Sequence, residues 1–173
     1  AWDMPGYGES PMLAAERANA GDYAVALAAM LDRAGVRQAV LVGHSLGALV
    51  ASAFAATFPE RVIHLVLADA AQGYGQAAPE QREQVWRSRK QQMALGGDVL
   101  ALTRAAKLLR PGARAEDVAT VAAGMRALRP EGYLAAAWML AHDDIHAWLK
   151  RYSGSFEAWC GEQAAIVQPE LVQ

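Results

Sequence analysis

The spacing of apolar positions changes twice along the first seventy residues, and each change marks an element. Tyr23, Leu27, Met30, Leu31 and Ala34 recur three to four apart, which predicts a helix capped by Asp22 and ended at Gly35. Gln38 to Gly43, "QAVLVG", is a short apolar run and predicts a buried strand. Leu46 to Phe58 is rich in alanine and apolar on every side, which predicts a helix covered all round and stopped by Pro59. Arg61 to Asp69, "RVIHLVLAD", predicts a second buried strand. Strand, helix and strand at this spacing form a βαβ unit with parallel strands and a right-handed crossover.

The flanks read differently. Trp2-Asp3 predicts the tail of a strand, followed by a loop punctuated by Pro5, Gly6, Gly8 and Pro11. From Ala70 to Lys150 the periods are helical with charged faces, one stripe being Val118, Val121, Ala122, Met125 and Leu128 and another lying in "GYLAAAWMLA". Strand character returns at Phe156 to Cys160, and "QPELVQ" at the end has the form of a helix N-terminus. The expected organisation is three segments: core residues 1–70, an all-helical insertion at 71–150, and a return to the core at 151–173.

Composition narrows the class. The chain has 173 residues, 54% of them hydrophobic, which suits one globular α/β unit. Sixteen Lys and Arg against eighteen Asp and Glu leave a net charge of −2, so no general attraction to nucleic acid or anionic lipid is expected. No charged residue falls between Gln38 and Phe58, a length that suggests a membrane span, but the "GHSLG" turn would strand polar backbone groups in a bilayer. Neither nucleic acid nor membrane is therefore an expected partner. The single cysteine, Cys160, forms no disulfide framework and no cysteine-based zinc cluster, which points to a reducing, cytoplasmic setting. His142 and His146 in "AHDDIH" have a spacing that can seat a metal with Asp143 or Asp144, but no third ligand is evident and a solvated helix end is the favoured reading. No cofactor and no metal are expected.

Candidate chemistry centres on Ser45. Gly43-His44-Ser45-Leu46-Gly47 fits G-x-S-x-G between a strand and a helix, the context of a nucleophile elbow. Such a turn holds the serine in a strained conformation with its hydroxyl above the sheet, and the glycines two residues either side remove Cβ atoms that would collide. The N–H of Leu46, at the positive end of the following helix, is expected to face an oxyanion on a substrate bonded to Ser45.

Through "DMPGYGES", "LVGHSLGALVASAFAATFPERV" and "LVLAD" the chain resembles the α/β-hydrolase superfamily. The resemblance covers nearly the whole chain and implies a parallel sheet with flanking helices that carries a helical cap. Within it, "EGYLAAAWMLAHDDIHAWL" and "FEAWCGEQ" are most similar to the 3-oxoadipate enol-lactonase and small-ester hydrolase branch. The resemblance implies a chain order of serine, acid, histidine. The acid is expected in a segment here reading Gly161-Glu162-Gln163-Ala164-Ala165-Ile166-Val167-Gln168, where Ala164 stands in place of Asp and Gln168 in place of Pro. The catalytic histidine is expected beyond Gln173, and a second oxyanion donor before Ala1, so the chain has the character of a central fragment. His44 lies inside the elbow and is expected to point away from Ser45, and His64 is expected to be a packed or hydrogen-bonded strand residue. Asp69, after the second strand, is the alternative acid, in the position used by some haloalkane-dehalogenase-like members; it can equally cap the loop that follows.

Trp86, Met93, Tyr133, Trp138 and Met139 could line a pocket under the cap, or simply form its core. Arg82, Arg87, Arg89 and Lys90, or Arg104, Lys107 and Arg110, could attract a carboxylated substrate, although solvated helix faces are the commoner arrangement. The expected function is metal-free serine hydrolysis of a small ester or lactone through an acyl-enzyme on Ser45, with carbon–carbon bond hydrolysis a close variant. The alternative, suggested by Ala164 and the missing histidine, is a non-catalytic binding protein of the same fold, and the chain alone is expected to be inactive.

Overall fold

A computed structural model describes residues 1–162. The readings at Gln163 to Gln173, including Ala164, Gln168 and the terminal helix start, lie outside the described residues.

Three parallel strands, β1 (Ala39–His44), β2 (Val62–Ala68) and β3 (Phe156–Trp159), form a sheet in the order β1-β2-β3. Helix α1 (Ala20–Arg33) precedes β1, and α2 (Gly47–Thr57) makes the crossover to β2. The cap of α1 is Asn19 rather than Asp22. The Asn19 side chain accepts from Gly21 N–H at 2.7 Å, and Asp22, one turn in, accepts the Asn19 N–H at 2.8 Å. The pair forms a capping box, with the apolar stripe starting only after Ala20 and Gly21. At the other end Gly35, at φ +68°, lets Val36 N–H reach the Leu31 carbonyl at 2.9 Å and closes the helix as expected.

Helix α2 is the centre of the core. Ala48, Leu49, Ala53, Phe54 and Ala55 are wholly buried between α1, the later helix α7 (Ile145–Leu149) and the sheet, each large side chain contributing about 1.5–3 kcal/mol. Leu41, Leu65 and Leu67 belong to that core and face α2. On the opposite face of the sheet Val40, Val42 and Trp159 are 55%, 63% and 56% exposed. The expectation of buried strands therefore holds throughout for the face toward α2 at Leu41, Leu65 and Leu67, while the other face is largely open among the described residues, with Val66 buried on it. Trp2-Asp3 is not a strand: no described strand pairs with it, and Trp2 and Met4 instead pack as loop residues on the core.

Between β2 and β3 the described chain is helical: α3 (Pro79–Ala94), α4 (Gly97–Arg104), α5 (Ala115–Arg126), α6 (Pro130–His142) and α7 (Ile145–Leu149). Two cores divide it. Helix α3 packs on α6 and α7 packs on α2, whereas α4 and α5 pack on each other around Leu100, Ala101, Ala105, Ala122 and Met125. Both ends of this segment meet near the head of α1. Asp143 accepts from Ala20 N–H and Trp148 Nε1–H, each at 2.6 Å, and its carbonyl accepts from Gly75 N–H at 2.8 Å.

The loop before α1 is fastened to α6. A Cβ on Gly6 would stand 2.6 Å from the Gly132 Cα, so the two backbones approach as only glycines allow. Arg129 donates to the Ser10 carbonyl at 2.8 Å, which holds the neighbouring Tyr7 against the helical segment.

Candidate active site

Ser45 stands at the turn from β1 into α2 with φ +50°, a left-handed conformation that a side chain rarely adopts. Its N–H donates to the Ala68 carbonyl at 3.0 Å, and its carbonyl accepts from Ala48 N–H at 3.0 Å and Ala71 N–H at 3.1 Å. Three backbone bonds therefore hold the strained residue between the ends of β1 and β2. The tight turn depends on Gly43: a Cβ there would lie 2.7 Å from Ala48 Cα and 2.8 Å from Ala51 Cβ. Gly47 differs from the expectation, since a Cβ on it would meet nothing within 4 Å. Leu46 caps α2 at φ −57°, and among the described residues its N–H has no hydrogen-bond acceptor.

Asp69 occupies the matching position one strand over. It too has a positive φ, +42°, and its N–H donates to the Trp159 carbonyl at 2.8 Å. Its Oδ1 accepts from Gly161 N–H at 2.9 Å, tying the ends of β2 and β3 together. Its Oδ2 lies 4.0 Å from His44 Nε2, an approach that no motif announced. Ser45, Asp69 and Gly161 thus follow the carboxyl ends of three adjacent strands, where ligands of open α/β sheets bind. Among the described residues no histidine is hydrogen-bonded to Ser45. His64 pairs with Glu157 at 2.8 Å, on the strand where it was expected to be packed or hydrogen-bonded.

The four candidate ligands in "AHDDIH", His142, Asp143, Asp144 and His146, do not converge. His142 stacks on Trp138 and hydrogen-bonds its carbonyl, His146 reaches toward Gln72, Asp143 holds Ala20 and Trp148, and Asp144 caps α7.

Above Ser45 lies a cleft of about 350 Å³ between the turn and the helical segment. Ser45, Leu46, Ala71 and Tyr7 form its floor and side; Leu100, Val121, Met125, Leu128, Ala136, Ala137 and Leu140 form apolar walls. Of the five large residues anticipated as a lining, only Tyr133 reaches it. Met93 and Met139 are buried elsewhere, and Trp86 packs edge-on against Trp138. Burial, and then the neighbouring Tyr23 and Tyr133, push the Tyr7 phenol above the ordinary tyrosine range, so it stays a neutral hydroxyl.

Arg89 of α3 and Arg104 of α4 also line the cleft, whereas the charge pattern had suggested solvated faces. Both donate to the same oxygen, Gln92 Oε1, at 3.2 and 2.8 Å. Burial holds the Arg104 guanidinium below its ordinary pKa, the Arg89 charge lowers it further, and Tyr133 works in the opposite sense.

Residues 1–168 match the α/β-hydrolase fold family, and the chain belongs to it. A 2-hydroxy-6-oxononadienedioate/2-hydroxy-6-oxononatrienedioate hydrolase from Burkholderia vietnamiensis is 40% identical over 79 residues, 46% of this chain and 26% of that protein. A thermophilic esterase from Thermogutta terrifontis superposes with a TM-score of 0.78 at 26% identity, covering 96% of this chain and 62% of the esterase. The enol-lactonase from Burkholderia xenovorans shares the fold, with a TM-score of 0.73 at 19% identity over 91% of this chain and 58% of that one. The chain thus spans under two thirds of each of these proteins.

Proposed function

We propose that the protein is a serine hydrolase of a small ester or lactone, with Ser45 as nucleophile and the Leu46 N–H as an oxyanion donor. The observation that carries this reading is the strained Ser45 turn opening into the cleft, beside an N–H without an acceptor. In the reaction Ser45 Oγ bonds to the substrate carbonyl carbon and gives its proton to a general base. The carbonyl oxygen takes the negative charge and is held by Leu46 N–H, and collapse expels the alkoxide and leaves an acyl-serine. Water then repeats the sequence and frees the acid. No described residue is assigned as the base; Asp69 is the candidate acid. Residues 71–150 act as a cap over a core formed by 1–70 and 151–173. The hydrolases among the relatives support the reaction class, and hydrolysis of a carbon–carbon bond needs the same nucleophile and oxyanion donor.

A fluorophosphonate probe tests the assignment on the full-length protein. Ser45 should be labelled, and Ser45→Ala should abolish both labelling and ester turnover. Absence of labelling in the wild type would sink the hydrolase reading in favour of a second one, a non-catalytic binding protein. That alternative draws on the lack of any histidine bonded to Ser45 among the described residues.

A further inference from the structure

Four of the thirteen arginines are paired with a carboxylate among the described residues. Arg61 pairs with Asp32, Arg87 with Glu83, Arg114 with Asp117 and Arg126 with Asp98. Arg89 and Arg104 differ from the other arginines in their setting: among the described residues neither has a carboxylate partner, and the two guanidiniums share one neutral amide oxygen, Gln92 Oε1. Both are half-buried and both face the cleft that contains Ser45. Two like charges drawn together beside apolar walls repel, and the loss of water strengthens the repulsion. A single amide oxygen satisfies only two of the ten N–H donors they carry.

We infer that Arg89 and Arg104 form a binding site for a carboxylate on the substrate, so that the ester or lactone hydrolysed at Ser45 carries a free carboxylate elsewhere in the molecule. This rests on the hydrolase reading and names its substrate class. A carboxylate has the planar geometry that a guanidinium fork matches in two hydrogen bonds, and its charge relieves the repulsion between the pair. Gln92 positions the two forks: its Oε1 holds them together, while its Nε2 is anchored by Ser88 Oγ at 3.2 Å.

Monomethyl glutarate and dimethyl glutarate test this on the full-length protein, because they differ only in one free carboxylate. The wild type should favour the half-ester in kcat/KM by about tenfold or more, mainly through KM, as expected for a charge-assisted contact. Arg104→Met and Arg89→Met should each erase most of that preference, Arg104→Lys should restore part of it, and Arg87→Met, which removes a charge that pairs with Glu83 outside the cleft lining, should leave the ratio alone. A wild-type preference below about twofold, or a ratio unmoved in both Met variants, overturns the inference.

Glutarate binding to Ser45→Ala, measured by calorimetry, reads the site without turnover. Binding that depends on Arg104 supports the inference even if no ester is hydrolysed, in which case the hydrolase reading fails alone. Turnover of esters without glutarate binding overturns the inference and spares the hydrolase reading. Tighter binding of inorganic phosphate than of glutarate overturns the carboxylate assignment.

Discussion

Two neighbouring residues, Ser45 and Asp69, hold left-handed backbone conformations at the carboxyl ends of adjacent strands. Conformations of this kind cost about 1–3 kcal/mol each and persist where the surroundings enforce them. Ser45 is enforced by three backbone hydrogen bonds, and Asp69 by its bonds to Trp159 and Gly161. If Asp69 is the acid, Asp69→Asn should lower kcat/KM by roughly 10⁴-fold with little change in KM, as loss of the histidine-orienting carboxylate does. A loss under about tenfold in steady-state kinetics removes Asp69 from the catalytic group and leaves it as the tie between β2 and β3. The motif made Ser45 legible from sequence because its chemistry lies in a local turn. It assigned the same steric duty to Gly43 and Gly47, and only the packing of α2 on β1 separates them. The His44–Asp69 approach was invisible for a similar reason, since it joins the ends of two strands whose register the sequence does not state.

At the scale of elements, local periodicity located α2, β1 and β2 to within a residue, and α1 too except at its start, where the cap Asn19 lies three residues before the expected Asp22. Burial was harder to read, because an apolar run such as Val40 to Val42 is the same string whether one face of the sheet is covered or both. The open face carries a titratable pair. Glu157 on β3 has its carboxyl held below the usual range by the Trp159 indole N–H first and by His64 on β2 second. A carboxyl whose folded pKa is depressed adds stability that is present above its unfolded value, near 4.5, and is lost as pH falls through the folded value. Urea unfolding of wild type and Glu157→Gln should therefore show the wild type ahead near neutrality and the difference shrinking below about pH 4.5. A difference that stays constant down to about pH 2.5 would show that His64 and Trp159 do not act through the ionised carboxylate.

At the scale of the molecule, the helical stripes between β2 and β3 were legible as helices, but the choice of which residues face Ser45 was not. That choice is made by how α3 to α6 cross, so Trp86 and Trp138 turned to each other while Leu100, Val121 and Arg104 took the cleft. The crossing also leaves the α4–α5 pair with its own small core, joined to the rest by the short links at Leu95–Gly96 and Ala127–Arg129. A unit joined by two short links and sharing little buried surface with its neighbours can detach without the sheet unfolding. Amide hydrogen exchange should accordingly resolve two tiers, with α4 and α5 exchanging through a low-energy opening and α2 only through global unfolding. One common exchange free energy for both would contradict that separation. Arg89 and Arg104 sit on opposite sides of the Leu95–Gly96 link. An anion gripped by both guanidiniums would act as a latch across that joint, so the population of the open form, and with it the rate at which the floor of the cleft exchanges its contents, would be set by the charge of the guest.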